Sequence, residues 1–443
     1  MATRHLKSRV DWIFIGASGA LVLAGTLAVL SAASPLPYYA QILERHFVAL
    51  ALGTFLFLFG LGFNYQVFQD QSKALYGLVL GLLILVLLFG TTLKGHRAWL
   101  RLPFLTFQPA ELARVGVVLV VADFLDRRSR RAAQFWTVLL TFAVALPPIL
   151  LILKQPDYST VATFLPILCG MLFCAGADVG QLLALIGYAL MAVGLPLLYT
   201  YCQIHYPRPA GGSLPALILQ TSRVGLSSLV TMTGLGLLGF LAWRLSVMLR
   251  LQARPAVFIA VPLILGAGLM SGMFINHQLK GYQRNRFAAY VAPQADIQGA
   301  SYHVHQSQIA IGSGGFWGKG LFSGTQSKLG FLPERHTDFA FAVVGEEMGF
   351  AGAMGILALY LALIWRIVVA ARFARDRYGY LVCCGLATMF AFELALNVGM
   401  CVGLMPVAGI PLPLISYGGS SLVITMWSLG IVANVYLRRY SLL

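Results

Sequence analysis

The sequence Gly312-Ser-Gly-Gly-Phe-Trp-Gly-Lys-Gly320 lies within residues 279–338, the longest interval of this chain that is not apolar. Long hydrophobic runs precede and follow the interval, so it separates a longer from a shorter hydrophobic block. Between Asp178 and Glu334 the chain has a single carboxylate, Asp296, and it lies in this interval. A lone acid among cations and flexible glycines makes the interval the first place to expect chemistry.

The composition is that of a membrane protein. Of the 443 residues, 59% are hydrophobic and only 10% are charged, and the mean hydropathy is +0.80. Soluble domains carry about 25% charged residues. Lipid admits only helices and closed barrels, and the apolar runs here are long and continuous rather than short and alternating. We therefore predict an all-α polytopic membrane protein that forms a single integral membrane domain over residues 1–443.

Twelve runs approach the length of about 20 apolar residues that a membrane span needs. They lie near residues 11–33, 44–64, 73–93, 108–126, 133–153, 158–176, 180–201, 224–247, 255–276, 338–370, 378–402 and 415–437. Basic clusters in the connecting segments and at both ends would all fall on one face, which the positive-inside tendency assigns to the cytoplasm. Both termini are then cytoplasmic, and residues 277–337 form a large extracytoplasmic loop between the ninth and tenth spans. The net charge of +16 reflects this topology rather than nucleic-acid binding.

The large outer loop carries Lys and Arg residues that depart from the positive-inside tendency. Long loops can escape this tendency, but a cationic site for an anionic ligand explains the residues better, because a shorter outer loop near residues 94–101 is also basic. The candidate ligand-binding cations are Arg101, Arg284, Arg286, Lys319 and Arg335. The glycine-rich run is not a phosphate-binding P-loop, since Gly320 rather than Ser or Thr follows Lys319. We interpret it as a structural element.

Further polar residues mark the ends and interiors of the spans. Glu111 and Arg114 are three residues apart and can share a helix face. Asp157 can cap the helix that follows it or contribute to a site. Ser416 lies in residues 403–421, whose prolines and glycines predict an irregular re-entrant element facing the outer cavity. The six cysteines show no metal-ligand spacing, so no protein-bound metal site is predicted.

Several of these segments together resemble the SEDS family, the shape, elongation, division and sporulation proteins of bacterial cell-wall synthesis. The resemblance rests on Gly312–Gly320, on Gly324-Thr-Gln-Ser with Phe331-Leu-Pro-Glu-Arg-His-Thr-Asp-Phe339, and on Gly409-Ile-Pro-Leu-Pro-Leu-Ile-Ser-Tyr-Gly-Gly-Ser-Ser421. Asn397-Val-Gly-Met, Gln155-Pro-Asp157 and Gln108-Pro-Ala-Glu111 extend it. The variants present are more similar to the elongation type, RodA, than to the division type, FtsW.

The resemblance implies a peptidoglycan glycosyltransferase that polymerises lipid II into glycan strands for cell-wall elongation and cell shape. It implies a bacterial inner-membrane location, and a class B penicillin-binding protein like penicillin-binding protein 2 as partner, with other elongation-complex membrane proteins. The family's essential aspartate corresponds to Asp296, in Asp-Ile-Gln-Gly-Ala-Ser-Tyr302, where the family's Pro and second Gly are replaced by Ile297 and Ser301. The family usually has ten spans, so residues 203–254 are predicted to be an inserted helical hairpin. It also commonly has Lys where this chain has Arg114.

The implied chemistry agrees with the residues. Asp296 would be the general base that removes a proton from the acceptor sugar hydroxyl. The substrate-binding candidates are Arg101, Glu111, Arg114, Asp157, Arg284, Arg286, Lys319, Arg335 and Ser416. The one cofactor that this chemistry suggests is a divalent cation, Mg²⁺ or Mn²⁺, which would stabilise the pyrophosphate leaving group. A lipid II flippase or transporter, a division-type polymerase and a non-catalytic scaffold for the partner remain alternatives.

Overall fold

The computed structural model describes residues 10–93, 96–101, 106–208, 212–222, 225–250, 255–279, 281–294 and 301–440. These contain seventeen α-helices and three short strands. The elements up to residue 175 are α1 (Trp12–Ala33), α2 (Tyr39–Gly62), α3 (Gln66–Asp70), α4 (Ser72–Phe89), β1 (Thr91–Leu93), β2 (His96–Arg101), β3 (Thr106–Phe107), α5 (Pro109–Arg127), α6 (Phe135–Lys154) and α7 (Tyr158–Ala175). The later helices are α8 (Val179–His205), α9 (Leu214–Gln220), α10 (Leu226–Met248), α11 (Pro255–Gln278), α12 (Gly281–Val291), α13 (Tyr302–Ser313), α14 (Thr325–Lys328), α15 (Ala340–Arg372), α16 (Arg377–Cys401) and α17 (Gly419–Leu437).

Every predicted span coincides with one of these helices, which confirms the all-α polytopic membrane fold. Among the described residues, eleven helices are long and apolar enough to cross a membrane, rather than the expected twelve. The difference is α5, the predicted fourth span, which is a helix of 19 residues. It is long enough to cross a membrane but is not apolar enough, because it carries five charged residues, namely Glu111, Arg114, Asp123, Asp126 and Arg127.

The charged residues of α5 have partners inside the protein. At its C-terminal end, Asp123 accepts hydrogen bonds from the Ser72 hydroxyl at 2.6 Å and from Arg127 Nε at 2.8 Å. One turn on, Asp126 accepts from the Gln69 side chain at 2.9 Å. Most residues of α5 are buried. The helix therefore lies in the interior of the bundle, where ionisable side chains can be paired.

The chain divides into two compact units, and each is described by itself. The first contains residues 1–177 and 306–443, and α16 and α17 are its most buried spans. In this unit α17 packs extensively on α2, while α16 packs on α15, α7 and α5. A helix that is apolar on all sides belongs in a core, which is where α16 and α17 lie. Polar residues on these helices are consequently candidates for a functional role.

The second unit contains residues 178–305. Its longest helix, α8, packs on α11 and α12, and α10 packs on α11. Asp178 begins α8 by accepting a hydrogen bond from the Gln181 backbone N–H at 3.1 Å, as an N-cap residue does. The predicted inserted hairpin, residues 203–254, covers α9 and α10, and its being an insertion stays a prediction.

A small antiparallel sheet follows α4, where the sequence suggested only a short loop. β2 lies between its neighbours and pairs Thr91 with Trp99 and Leu100 with Phe107. Arg97 in β2 donates from its guanidinium to the carbonyls of Leu88 and Gly90, at 2.7 and 2.9 Å. These carbonyls lie at the C-terminal end of α4 and lack partners within the helix. The sheet thus places a cation where it caps a membrane helix.

The helix α15 is broken at Gly349, where φ is 67° and ψ is −166°, a backbone conformation open essentially only to glycine. The break deprives the preceding carbonyls of helical partners. The backbone N–H of Lys319 donates to the Glu346 carbonyl at 3.1 Å, and that of Gly320 donates to the Glu347 carbonyl at 3.0 Å. The glycine-rich segment therefore satisfies the carbonyls that the break exposes.

The same segment accepts hydrogen bonds from the residues after the break. The backbone N–H groups of Phe350 and Ala351 donate to the carbonyls of Gly315 and Phe316, at 2.9 and 3.0 Å. Such contact requires backbone to lie directly on backbone. A β-carbon at Gly318 would collide with the α15 backbone, and Gly318 also has a positive φ of 83°. This explains why glycines recur in the segment, and it agrees with its interpretation as a structural element.

We predict that Gly318→Ala and Gly349→Ala each lower the thermal unfolding temperature of the purified protein. Alanine at a positive φ costs about 1–2 kcal/mol, to which the backbone collision adds. Gly355→Ala is the matched control, because a β-carbon there meets nothing within 4 Å in regular helix. The control should leave stability unchanged or raise it by up to about 1 kcal/mol. Equal unfolding temperatures in all three variants would contradict the role assigned to the segment.

Candidate functional site

A buried ion cluster joins α5 to α16. Arg114 donates from one terminal nitrogen to Glu111, one turn away on α5, and from the other to Glu393 on α16. The three side chains are between 4% and 8% exposed. The guanidinium fork suits this task because its two ends can bind two carboxylates at once. Its Nε atom is buried and has no hydrogen-bond partner among the described residues.

One turn along α16 from Glu393, Asn397 holds two distant segments together. Its side-chain nitrogen donates to the Asp338 carbonyl at 3.0 Å and to the Ile410 carbonyl at 2.8 Å. A second bond joins the same segments, since the Tyr417 backbone N–H donates to the His336 carbonyl at 2.7 Å. Two of the sequence segments that carry the family resemblance, 331–339 and 409–421, therefore meet beside the ion cluster.

Residues 402–418 contain no helix or strand, and many of them are buried. Within this segment the Ser416 hydroxyl accepts a hydrogen bond from the Leu412 backbone N–H at 2.9 Å. The Tyr360 hydroxyl of α15 donates to the Pro413 carbonyl. Leu414 has a positive φ of 63°, and its carbonyl lies directly against Gly25 of α1. The irregular segment predicted from its prolines is thus held by the surrounding helices.

Asp157 connects α7 to the start of α5. It accepts from the Thr160 backbone N–H at 3.1 Å and hydroxyl at 2.8 Å, so it caps α7. It also accepts from the Gln108 side chain at 2.9 Å, immediately before α5. The next hydroxyl, that of Ser159, donates to the Ala408 carbonyl. Asp157 therefore caps α7, one of the two roles that the sequence allowed for it. The residues around it also contact the segments that surround the ion cluster.

Lys319 is engaged with protein groups rather than presented free to a ligand. Its ammonium donates to Glu346 at 3.0 Å and to the hydroxyls of Ser313 and Thr325, both at 2.7 Å. The Glu346 side chain is fully buried, and it also accepts from the backbone N–H of Gln326 at 2.8 Å. The neighbouring Glu347 accepts from the Ser31 hydroxyl of α1. These two acids anchor the glycine-rich segment to the bundle.

Arg335 is also buried and has protein partners. It donates from Nε to the Ala32 carbonyl at the end of α1, at 2.8 Å, and from a terminal nitrogen to the Ser327 carbonyl. Burial lowers the pKa of this guanidinium from its ordinary value. Arginine nevertheless stays protonated in proteins, so the side chain remains a fixed cation. Arg335 therefore ties α1 to the segment that follows α14.

The remaining predicted cations are exposed. Arg101 ends β2 in the first unit. Arg284 and Arg286 lie on α12 in the second unit, and Arg284 donates to the Asn276 carbonyl at 3.2 Å. Asp296, the predicted base, falls within residues 295–300, outside the described part of the chain. Its role as the base therefore stays a prediction.

Two buried residues of the site, Glu393 and Asn397, are absent from the predicted ligand-binding set. The signal that could have added them is a polar residue inside an otherwise apolar span. Their partners lie far away in the sequence, and Glu393 is separated from Arg114 by 279 positions. Within the described residues there is no group of three or more His, Cys, Asp or Glu side chains that could hold a metal ion.

Comparison with known proteins places this arrangement in a family. A family model described as FTSW_RODA_SPOVE, cell cycle protein, matches residues 9–208 and 212–441. Peptidoglycan glycosyltransferase MrdB of Escherichia coli K12 is 33% identical over 90% of this chain and 86% of its own. Peptidoglycan glycosyltransferase RodA of Treponema pallidum is 31% identical over 89% of both chains. A solved chain from a peptidoglycan synthase complex that coordinates polymerization and crosslinking matches with a TM-score of 0.66 at 28% identity, over 97% of this chain and 98% of its own.

We predict that Arg114→Lys destabilises the protein and that Glu393→Gln in the same chain restores most of the loss. A lysine presents one compact charge instead of a fork, so one buried carboxylate is left without its partner. Breaking a buried ion pair in this way costs about 3–5 kcal/mol. The neutral Gln removes the unpaired charge. Thermal unfolding of the purified variants measures both effects.

The control for the Arg114→Lys variant is Arg127→Lys, the same substitution on the same helix. Arg127 binds Asp123 in the same helix, but its side chain is 61% exposed. An exposed pair contributes at most about 1 kcal/mol, so the control should unfold close to the wild-type temperature. Independent, additive losses from Arg114→Lys and Glu393→Gln would show that the two residues do not form one cluster.

Proposed function

Because the chain belongs to the FtsW, RodA and SpoVE family of cell cycle proteins, we propose that it is a peptidoglycan glycosyltransferase that polymerises lipid II into glycan strands. One observation carries the proposal. The segments 331–339 and 402–418 meet at Asn397 beside a buried ion cluster, in a chain that resembles named glycosyltransferases over about nine-tenths of its length. The RodA and MrdB relatives and the motif variants favour a role in cell-wall elongation and cell shape over one in division.

In the proposed reaction the 4-hydroxyl of an acceptor sugar attacks the anomeric carbon of the donor. A new carbon–oxygen bond forms there as the bond from the same carbon to the lipid pyrophosphate breaks. Asp296 takes the hydroxyl proton as general base, and the electron pair of the broken bond leaves on the pyrophosphate. A single base suffices because pyrophosphate is a good leaving group that needs no protonation by a second acid.

The leaving pyrophosphate needs positive charge. Arg101, Arg284 and Arg286 are the predicted cations whose side chains are exposed, so they are the better candidates for direct contact. Lys319 and Arg335 are engaged by protein groups, so their contribution to an anion would be through the field of their fixed charges. Glu111, Arg114, Asp157 and Ser416 are already bound to other protein groups, so they would shape the site rather than contact the anion.

A divalent cation would assist the same leaving group. Mg²⁺ commonly binds through one or two carboxylates together with substrate phosphates. The pyrophosphate oxygens could supply such ligands while Asp296 acts as the base, and the described residues offer no cluster of three or more acidic, His or Cys side chains. An ion held in this way would supply charge at the leaving oxygen, while the protein orients the two sugars.

The proposal includes a partner and a location. The structural relative is part of a complex that coordinates polymerization with crosslinking, which supports a class B penicillin-binding protein as partner of this chain, alongside other elongation-complex proteins. The chain is a multi-pass membrane protein. We place it in the bacterial inner membrane with both termini in the cytoplasm, on the strength of its basic clusters.

The decisive variant is Asp296→Asn, assayed as polymerisation of lipid II by the purified protein with its partner. We expect the rate to fall by at least about 100-fold, because a positioned general base contributes 10²–10⁴-fold. Asp178→Asn is the matched control. It makes the same chemical change at the N-cap of α8, where Asn caps about as well as Asp. Both variants should unfold at the wild-type temperature.

The alternative functions give different outcomes in these assays. Full polymerisation by a folded Asp296→Asn variant would remove the aspartate from the mechanism. Movement of lipid II across vesicle membranes without any polymer would identify a flippase instead. Normal growth of cells that depend on Asp296→Asn would indicate a scaffold for the partner.

We further expect EDTA to lower the polymerisation rate at least about tenfold, and Mg²⁺ or Mn²⁺ to restore it, because a metal ion stabilises developing charge by several kcal/mol. Calcium at the same ionic strength controls for general screening of charge. A rate unaffected by EDTA would mean that the protein's own cations carry this task.

A further inference from the structure

The second unit contains an apolar cavity of about 510 Å³ between α10 and α11, which the proposed reaction does not use. Gly236, Phe240 and Trp243 line it from α10, and Phe258, Pro262 and Gly266 line it from α11. All of its lining residues are apolar or glycine. A cavity of this size and composition falls in the range of sites that bind small apolar ligands.

Glycines determine where the two helices touch and where they leave space. A β-carbon at Gly239 would lie 2.6 Å from the Phe258 carbonyl oxygen, so the helices are in close contact at that level. A β-carbon at Gly236, one turn earlier, would meet nothing within 4 Å. The same holds at Gly234, which does not line the cavity. The cavity therefore lies along the face of α10 that carries Gly236, since Gly236 lines it and Gly234 does not.

The cavity has the length of one membrane leaflet. Its lining positions on α10 run from Met232 to Trp243, which is about 16 Å at 1.5 Å per residue. The hydrocarbon core of a bilayer is about 30 Å thick. The described part of α10 is also the least buried of the candidate spans, and it packs on α11. A lipid chain of one leaflet can therefore lie along the groove.

Positive charge lies at one end of this groove. Arg244 immediately follows the lining residue Trp243, and Arg250 follows the end of α10, and both are exposed. The sequence of this unit, residues 178–305, contains no Asp or Glu between Asp178 and Asp296. Acidic side chains that could neutralise the two arginines are therefore scarce in this unit. Trp is favoured at the level of lipid headgroups. Arginine near the membrane surface attracts anionic lipid.

We propose that the groove formed by α10 and α11 binds an anionic phospholipid, with one acyl chain lying along the groove and the headgroup phosphate at Arg244 and Arg250. Two observations favour a lipid over a transmembrane helix of a partner protein. The groove is about half as long as the roughly 30 Å that a spanning helix occupies. The cations at its end also match a phosphate, whereas a spanning helix has no need of them.

The first test is retention of lipid by the purified full-length chain, measured by native mass spectrometry after extraction from membranes of defined composition. We expect about one phosphatidylglycerol to remain bound, and phosphatidylcholine to be lost. Gly236→Leu fills the cavity and should reduce retention at least about tenfold. Gly234→Leu is the matched control, since it adds the same side chain to the same helix outside the groove, and should retain the lipid.

The second test examines the headgroup and does not alter the groove. Arg244→Gln should weaken retention of phosphatidylglycerol about fivefold, which corresponds to one cation near an anionic surface. Arg130→Gln, another exposed arginine in the first unit, should change nothing. Equal retention by the two glycine variants overturns the proposal, as does equal retention of phosphatidylcholine and phosphatidylglycerol by the wild type. Crosslinking of the groove to a partner helix with no bound lipid overturns it as well.

Discussion

The four backbone hydrogen bonds across the break in α15 are the interaction on which the first unit depends. They attach residues 315–320 to the broken helix and give partners to two carbonyls before Gly349 and two N–H groups after it. Backbone at membrane depth tolerates irregularity only when protein groups satisfy it in this way. Two of the four hydrogen bonds hold the backbone carbonyls of Glu346 and Glu347, and the side chains of these two acids bind Lys319 and Ser31. A helix break and a glycine-rich segment are thus one structural feature, although they lie some thirty residues apart in the sequence.

The segment 402–418 obeys the same constraint by different means. It has no regular structure to satisfy its carbonyls, so side chains from buried helices do so: Asn397 binds the Ile410 carbonyl and Tyr360 binds that of Pro413. Arg114 neutralises buried charge in a similar way, since it binds two acids of different helices in one cluster. Two of these contacts, those of Asn397 and Glu393, are made by α16. They connect α5, α16 and the irregular segment within the first unit.

Much of the architecture could be predicted because long apolar runs and basic clusters are local properties of a sequence. Every predicted span is a helix, including α5, whose charges lower its hydropathy but are paired inside the bundle. The partners of individual side chains could not be predicted in the same way. Lys319 and Arg335 look like ligand-binding cations in sequence, yet Glu346 and the Ala32 carbonyl bind them. The Arg114–Glu393 contact spans 279 positions, and no local pattern reports a contact of that kind.

The charged helix α5 has a consequence for how the protein is made. Arg114 leaves the ribosome long before Glu393, so the two-acid cluster cannot form while α5 is being inserted. Glu111, one turn away on the same helix, is the only one of the two acids present at that stage. An ion pair within the helix lets the segment enter the bilayer with its charge compensated, whereas a lone arginine at the centre of a span costs about 2.5–3.5 kcal/mol on insertion. The order of synthesis thus lets Glu111 pair with Arg114 first, and Glu393 joins the same cluster when the fold is complete.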